Sequence, residues 1–226
     1  MENLSGSSMK IGICVPARDQ VETGFSFDFA KLVGYDTFNR CAKFEGHSLH
    51  IYTMAGTLIF DQREKLAAEA LKEGCDYIVF IDSDMRFPSD LIEVLLSRDV
   101  PIIGVNAVTR RHPVTPTAKV LTKEEVDGKT VYRWSNIDSR GKKGIEEVTS
   151  IGFGACMIKK EVFEALPRPW FDAGWGPTGV VGEDVHFCVK AGDHGFATHV
   201  DHELSMFIKH IGIHEYSWAD FERLEE

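Results

Sequence analysis

The chain has 226 residues, and its 35 acidic residues outnumber its 25 lysines and arginines, which gives a formal net charge of −10. This surplus of acid provides no basic field, so it excludes a nucleic-acid polymer and a polybasic membrane contact as expected partners. Hydrophobic residues make up 43% of the chain and charged residues 27%, as in folded globular proteins. The length suits one large domain with a well-buried core.

The cysteines and the start of the chain indicate the compartment. The cysteines are scattered and form no C-x-x-C pair, which predicts reduced core thiols at Cys14, Cys41, Cys75, Cys156 and Cys188. The apolar runs are too short to cross a bilayer. Residues 1–8 lack a signal-peptide pattern and precede a second methionine, so we interpret them as a tag or a disordered start. We expect a cytoplasmic protein whose single domain covers residues 9–226.

The first half of the chain alternates strand patterns with helical patterns. Apolar runs predict strands over 10–15, 49–53, 77–81 and 100–105. Helices are predicted between them, over 26–42, from a capping box that starts at Asp61 to Gly74, and from Pro88. This order is typical of an α/β fold with a doubly wound, mostly parallel, Rossmann-like sheet.

The second half departs from this alternation. Segments 119–121 and 130–134 flank Asp127-Gly128 and predict a small antiparallel hairpin insertion. The polar, glycine-containing segment 135–144 predicts a mobile loop. A strand over 155–158, a short helix from Lys160 and a helix over 183–191 are predicted to follow.

Two carboxylates follow the third predicted strand. Asp82 and Asp84 lie at the carboxyl edge of the sheet, where ligands of open α/β folds bind. Acids two residues apart repel and require a cation or a shared proton, and Mg²⁺ or Mn²⁺ is the natural partner for such oxygen ligands. The alternative is that these acids only shape a turn or cap a helix.

Further motifs give the chain its resemblance to a known family. In chain order they are 14–18, 61–67, 76–88, 151–158, 162–163, Gly182-Glu183-Asp184 within 182–187, and His210-Ile211-Gly212. In this order they resemble the GT-A glycosyltransferases, in particular the family-2-like group. The resemblance implies transfer of a sugar, a hexose by expectation, from a UDP- or GDP-sugar to the hydroxyl of a carbohydrate or another acceptor. It also implies a divalent ion, Mn²⁺ or Mg²⁺.

By this resemblance, Asp84 contacts the metal directly and Asp82 reaches the ribose or a metal-bound water. His210 supplies an imidazole ligand, which suits Mn²⁺ and requires a neutral ring. Asp184 is the candidate general base, with Glu183 as the holder of the acceptor or the alternative base. That role belongs to an inverting enzyme, whereas a retaining enzyme would use the leaving phosphate. Alternatively, both acids are purely structural and are stabilised by the unpaired N–H groups at the start of a helix.

Other residues are candidates for contacts with the substrates. Those expected on the nucleotide sugar are Pro16, Arg18, Arg63, Asp82, Ser83 and Asn106, and those expected near the acceptor are Trp175 and Gly182. Arg18 and Arg63 fit surface charges equally well. Arg110 and Arg111 fit either a contact with phosphate or solvation of the loop, and solvation is slightly favoured. The aromatic segment 170–177 fits a platform for an acceptor sugar or a packed lid equally well.

Rival functions fit the motifs less well. A haloacid-dehalogenase-like phosphatase needs its acid pair on the first strand, and a nucleotidyltransferase needs a glycine-rich basic loop there. A glycoside hydrolase requires two separated carboxylates rather than neighbouring ones. A non-catalytic module that binds a nucleotide sugar or a carbohydrate on the same fold stays open as the alternative.

Overall fold

The computed structural model describes residues 9–43, 46–111, 113–176, 179–212, 215–216 and 218. The segment interpreted as a tag or a disordered start, residues 1–8, lies outside the described residues. Of the helices in the described ranges, none combines the length and the apolarity that crossing a bilayer needs.

Strands and helices alternate along the chain, with several short strands in its second half. In order they are β1 (Met9–Ala17), α1 (Thr23–Lys43), β2 (His47–Ala55), α2 (Ile59–Lys72), β3 (Tyr77–Ile81), β4 (Met85–Arg86), α3 (Leu91–Ser97), β5 (Ile102–Val105), β6 (Lys119–Val126), β7 (Lys129–Asn136), β8 (Ile145–Val148), β9 (Ala155–Lys159), α4 (Lys160–Ala165), β10 (Gly174–Gly176), β11 (Gly179–Val181), α5 (Glu183–Asp193), β12 (Thr198–Asp201), α6 (His202–Ser205), β13 (Lys209–Ile211) and β14 (Glu215–Tyr216).

The central sheet has seven strands in the order β2-β1-β3-β9-β5-β12-β8. The pairing of neighbours makes β1, β2, β3, β5 and β12 run in one direction, while β8 and β9 run in the other. The predicted α/β class with a mostly parallel sheet is therefore confirmed. The sequence pattern did not indicate that β9 lies antiparallel between β3 and β5, because strand order is set by long-range pairing.

The sheet separates two hydrophobic cores, one on each face. Side chains alternate along β3, so that Ile78 and Phe80 lie in one core while Val79 and Ile81 lie in the other. Helices α2, α4 and α5 pack on the first face, and α1 and α3 pack on the second. The carboxyl end of β3 is consequently held between two packed layers.

The cysteines agree with the predicted reduced state as far as they are described. Cys14, Cys75, Cys156 and Cys188 are buried and form no disulfide. Burial raises the pKa of the Cys188 thiol to about 12, so this thiol is almost entirely protonated at neutral pH. The side chain of Cys41 lies outside the described residues.

Two local expectations are wrong, and the hairpin is confirmed. Helix α2 begins at Ile59 with Leu58 as its cap, so Asp61 lies in the first turn and pairs with Lys65 at 2.7 Å instead of capping the helix. Strands β6 and β7 form the predicted hairpin, whose turn residues Asp127 and Gly128 have φ angles of 51° and 70°.

The second wrong expectation is the mobile loop over 135–144, because this segment is tied to the core. The side-chain amide of Asn106 donates to the Ile137 carbonyl at 2.7 Å and to the Ser139 hydroxyl at 3.0 Å. Ser139 is fully buried. Composition alone favoured a loop exposed to solvent, but a buried amide from another strand end holds this segment in place.

Gly104 allows the central strands to approach each other. A Cβ atom at this position would lie 2.5 Å from Ile151 Cδ1, 2.8 Å from Cys156 Cβ and 2.9 Å from the Ala155 carbonyl oxygen. We expect Gly104→Ala to lower the free energy of unfolding by about 1–3 kcal/mol, as overpacking of a core does. Urea denaturation followed by circular dichroism measures this change.

Gly192→Ala is the matched control, because a Cβ at this helical position would have no described atom within 4 Å. In the helix α5 it should leave stability unchanged or raise it by up to about 1 kcal/mol. Equal stability of the two variants would contradict the close approach at Gly104.

Candidate functional site

The segment Asp82-Ser83-Asp84 is held by backbone hydrogen bonds to three other parts of the chain. The amide of Asp82 donates to the Gly154 carbonyl at 3.0 Å, and the amide of Ile211 donates to the Asp84 carbonyl at 2.8 Å. The amide of Glu22 donates to the Ser83 carbonyl at 3.2 Å. The two carboxylates therefore extend from a rigid turn at the carboxyl edge of the sheet.

Arg63 of α2 joins the first of these acids to the start of α5. Its guanidinium donates to Asp82 Oδ1 at 2.7 Å and also to Glu183 Oε1. Only 3% of Arg63 is exposed, and its guanidinium carbon lies 5.4 Å from the ring centroid of Phe153 and 5.9 Å from that of Phe80. A buried cation thus lies between two carboxylates and above two aromatic rings.

Burial and charge act in opposite directions on this triad. Burial raises the pKa of the Asp82 and Glu183 carboxyls, and the Arg63 guanidinium offsets only part of that increase. Burial acts to lower the pKa of Arg63, but the charges of Asp82 and Glu183 outweigh it and raise the pKa above its usual value. Arg63 therefore stays charged and is the counterion of both acids.

Asp84 has separate partners on the other side of the turn. Arg110 Nη1 lies 2.8 Å from its Oδ2, and His210 Nε2 lies 3.4 Å from the same oxygen. Burial acts to raise the pKa of Asp84, yet His210 and Arg110 together hold it below its usual value. The interpretation of Arg110 as a charge that only solvates a loop is therefore wrong, because it forms an ion pair at the site.

The tautomer of His210 bears on metal binding. Its Nδ1 lies 3.0 Å from the Val108 carbonyl oxygen, which can only accept, so Nδ1 carries a proton. In the neutral ring Nε2 then has a lone pair that faces the Asp84 carboxylate. A cation between Nε2 and Asp84 Oδ2 would bind both atoms.

The donor set fits a metal that shares its coordination with a substrate. Within the described ranges, no group of three or more His, Cys, Asp or Glu side chains is arranged to hold a metal ion. Asp84 and His210 offer two converging donors, while one oxygen of Asp82 is engaged by Arg63. Mg²⁺ in particular is commonly held by one or two carboxylates and completed by substrate phosphates and water.

Asp184 lies next to this triad at the first turn of α5. It is half-buried, and its Oδ1 accepts from the Val185 amide at 2.7 Å. A Cβ at Gly182 would lie 2.8 Å from the same oxygen, so the glycine leaves the space that the Asp184 carboxylate occupies. Gly182, expected near the acceptor, thus also shapes the position of this acid.

Several predicted contacts are not part of this cluster. Asn106 is fully buried, its side-chain amide donates to the Ile137 carbonyl and the Ser139 hydroxyl, and its side-chain oxygen accepts from the Ala118 amide at 2.8 Å, so its polar atoms are engaged within the protein. Pro16 is buried at the end of β1, while Arg18 is exposed. Arg63, expected on the nucleotide, is instead enclosed by protein within the triad, with 3% of the residue exposed.

The aromatic segment divides into a packed part and an exposed part. Trp170 and Phe171 are buried, and their amides donate to the Glu64 carboxylate at 2.8 and 3.2 Å. Trp175, on the strand β10, is 85% exposed. The first half of the segment is therefore packed, and the acceptor platform stays a prediction for the exposed Trp175.

Sequence reasoning missed Phe153 as part of the site. This ring lies under the Arg63 guanidinium and stacks on Phe80 with centroids 5.9 Å apart. Phe153 stands between Gly152 and Gly154, and both glycines fit closely against other side chains. Two glycines around an aromatic residue were the available signal of a tightly packed turn.

Comparison with known proteins shows similarity in structure alone. No protein-family model and no curated protein matches this sequence. Among solved structures the chain is similar to A197 from STIV, with 17% identity, a TM-score of 0.56, and coverage of 90% of this chain and 86% of that chain. This likeness concerns the fold.

Two further solved structures have TM-scores below 0.5. One is a mutant of Drosophila β1,4-galactosyltransferase 7 in complex with manganese, UDP-Gal and xylobiose, at 16% identity, with 90% of this chain and 71% of that chain covered and a TM-score of 0.47. The other is S. aureus TarS 1–349 with UDP-GlcNAc, at 13% identity, with 85% and 55% covered and a TM-score of 0.46. The chain spans about half of the TarS structure.

Replacement of Arg63 tests the buried triad. We expect Arg63→Met to lower the free energy of unfolding by about 3–5 kcal/mol at pH 8, since it leaves two partly buried carboxylates without a counterion. The pKa values of Asp82 and Glu183 are already raised, and loss of Arg63 raises them further. Protonation then removes the repulsion, so the deficit should shrink at pH 5 and grow as the pH rises.

Urea denaturation of the variant and the parent protein at both pH values measures this difference. Lys65→Met is the matched control, because Lys65 lies on the same helix with a side chain 57% exposed and a surface pair to Asp61. It should change stability by less than about 1 kcal/mol. A deficit in Arg63→Met that does not depend on pH would contradict the role of Arg63 as a shared counterion.

Proposed function

We propose that this chain is a metal-dependent glycosyltransferase that moves a sugar, a hexose by expectation, from a UDP- or GDP-sugar to the hydroxyl of a carbohydrate or other acceptor. The observation that carries the proposal is the convergence of separate motif residues at one sheet edge. Asp82 is linked through Arg63 to Glu183, and Asp84 lies against His210. These are the motifs that resemble the GT-A glycosyltransferases.

In this proposal Asp84 and His210 hold Mn²⁺ or Mg²⁺, and Asp82 holds the ribose or a metal-bound water. The ion would neutralise the charge that develops on the diphosphate leaving group. Arg110 has a side chain 49% exposed and can turn from Asp84 towards the diphosphate when the donor binds. The ion and Arg110 would then supply, at the site itself, the positive charge that an acidic protein needs to bind an anionic donor.

Asp184 is proposed as the general base. Its carboxylate takes the proton of the acceptor hydroxyl while the hydroxyl oxygen bonds to the anomeric carbon and the bond to the diphosphate oxygen breaks. Glu183 is less suited to this step because Arg63 engages its carboxylate. It fits the role of holding the acceptor in line with Asp184, near Gly182 and Trp175. This assignment describes an inverting reaction.

One observation favours the alternative of a non-catalytic module. Asp82 and Asp84 each already have an arginine partner, so the two acids coexist without a metal. Such a module would bind a nucleotide sugar or a carbohydrate without turning it over. Donor hydrolysis or transfer in the presence of Mn²⁺ favours the enzyme, and binding without turnover favours the module.

Metal binding is tested by titrating the protein with Mn²⁺ in the presence of UDP and following free Mn²⁺ by electron paramagnetic resonance. We expect Asp84→Asn and His210→Ala each to weaken Mn²⁺ affinity by at least about tenfold, since even changes outside the ligand shell have effects of that size. Asp99→Asn is the control, because Asp99 is an exposed acid paired with Lys159 at 2.7 Å. Unchanged affinity in Asp84→Asn would exclude it as a ligand.

The base is tested by Asp184→Asn, which keeps the shape of the side chain and removes its basicity. We expect Mn²⁺ and donor binding to persist while transfer falls by about 10²–10⁴-fold. Asp193→Asn, at the last residue of the same helix, should keep full activity. Transfer by Asp184→Asn at the parental rate would overturn this assignment and favour the leaving phosphate as the base of a retaining reaction.

A further inference from the structure

A groove lies between the β6–β7 hairpin and the β10–β11 hairpin, with α5 along one side. Its volume is about 400 Å³, within the range typical of small-molecule sites. We call it the hairpin groove. The residues that define it are Leu121, Tyr132 and Trp134 from the β6–β7 hairpin, Trp175 and Val181 from the β10–β11 hairpin, and His186 from α5.

The hairpin groove lies beside the proposed active site along the chain, because Val181 and Val185 line the groove and Glu183 and Asp184 stand between them. Helix α5 begins with Glu183 and Asp184, and His186 follows within the same turn. At a rise of about 1.5 Å per residue, three residues advance about 4.5 Å along the helix axis. The groove and the two carboxylates therefore share the first turns of α5.

The lining of the groove indicates the chemistry of its ligand. Among the described residues that line it, none carries a formal charge, although the protein has a net charge of −10. A charged ligand would find no counterion there, so a neutral ligand is favoured. Trp175 is 85% exposed and Tyr132 is 50% exposed, so flat aromatic faces are available for stacking.

The types of aromatic residue in the lining favour a saccharide over a purely apolar ligand. The chain has 15 phenylalanines and four tryptophans, yet the described lining uses two tryptophans, a tyrosine and a histidine and no phenylalanine. Each of these side chains combines a flat face with a hydrogen-bonding atom. A sugar ring has the matching combination of an apolar face and hydroxyl groups at its edge.

His186 adds an imidazole ring to the lining of the groove. Its Nδ1 is buried and has no hydrogen-bond partner among the described residues. Burial and the nearby Lys190 lower the pKa of His186, so its ring is neutral at physiological pH. A neutral imidazole has one donor and one acceptor, which is the pattern that a hydroxyl group completes.

We propose that the hairpin groove binds a neutral saccharide and forms an outer subsite for the acceptor. The sugar unit next to the reacting one stacks against Trp134 and Trp175, while the reacting unit faces Asp184. The inference rests on the proposed function for its reaction, but the binding itself needs neither donor nor metal. It implies that an acceptor of two or more sugar units binds better than a single sugar.

An array of neutral glycans probed with the purified protein, followed by calorimetric titration of the best disaccharide and its monosaccharide, tests the subsite. We expect the disaccharide to bind at least about tenfold more tightly than the monosaccharide. Trp134→Ala and Trp175→Ala should each weaken disaccharide binding by about tenfold, which corresponds to one stacked ring. Both side chains lie on surface hairpins, and the exposed Trp175 is not needed for folding.

Val126→Ala is the control, because Val126 is 45% exposed at the end of the β6–β7 hairpin and does not line the groove. It should bind the disaccharide as the parent does. Mn²⁺-dependent UDP binding should be the same in all these variants. In transfer assays the two tryptophan variants should show a raised KM for the acceptor with kcat retained.

The outcomes separate this inference from the proposed function. If UDP binds with Mn²⁺ but no glycan on the array binds, or if both tryptophan variants bind the disaccharide as the parent does, the subsite is wrong and the transferase proposal stands. If the disaccharide binds through the tryptophans but no donor is turned over, the subsite stands and the transferase proposal fails.

Discussion

The arrangement of the site depends on one buried cation. Arg63 is enclosed by α2, by the rings of Phe80 and Phe153, and by the carboxylates of Asp82 and Glu183. A guanidinium in such a position is stable only with both of its partners, because a buried charge without a counterion is costly. The ion pairs therefore fix the distance between the turn after β3 and the start of α5.

This constraint gives the two acids of the Asp82-Ser83-Asp84 turn different roles. Asp82 pairs with the buried Arg63, and Asp84 pairs with His210 and with Arg110, whose side chain is 49% exposed. One acid is thus paired with a buried arginine, and the other with a half-exposed arginine and a histidine. The opposite pKa directions of the two carboxyls follow from this difference in surroundings.

The proposed acceptor subsite lies on the hairpins rather than at the sheet edge. Strands β6 and β7 are absent from the central sheet and line the hairpin groove together with α5. Because Glu183 and Asp184 start the same helix, the proposed reaction and the hairpin groove share one rigid element. Acceptor recognition in loops and hairpins beside a fixed catalytic edge is what a rigid α/β scaffold permits.

The sequence alone determined what depends on local pattern: the α/β class, the hairpin turn at Asp127-Gly128, and the acids at the end of β3. Only the tertiary structure decided the partner of Arg63, which lies 120 residues from Glu183, and the antiparallel place of β9. It also decided that Asn106 serves the core. Periodicity reports which side of an element is buried, but pairing between distant segments is chosen by packing of the whole chain.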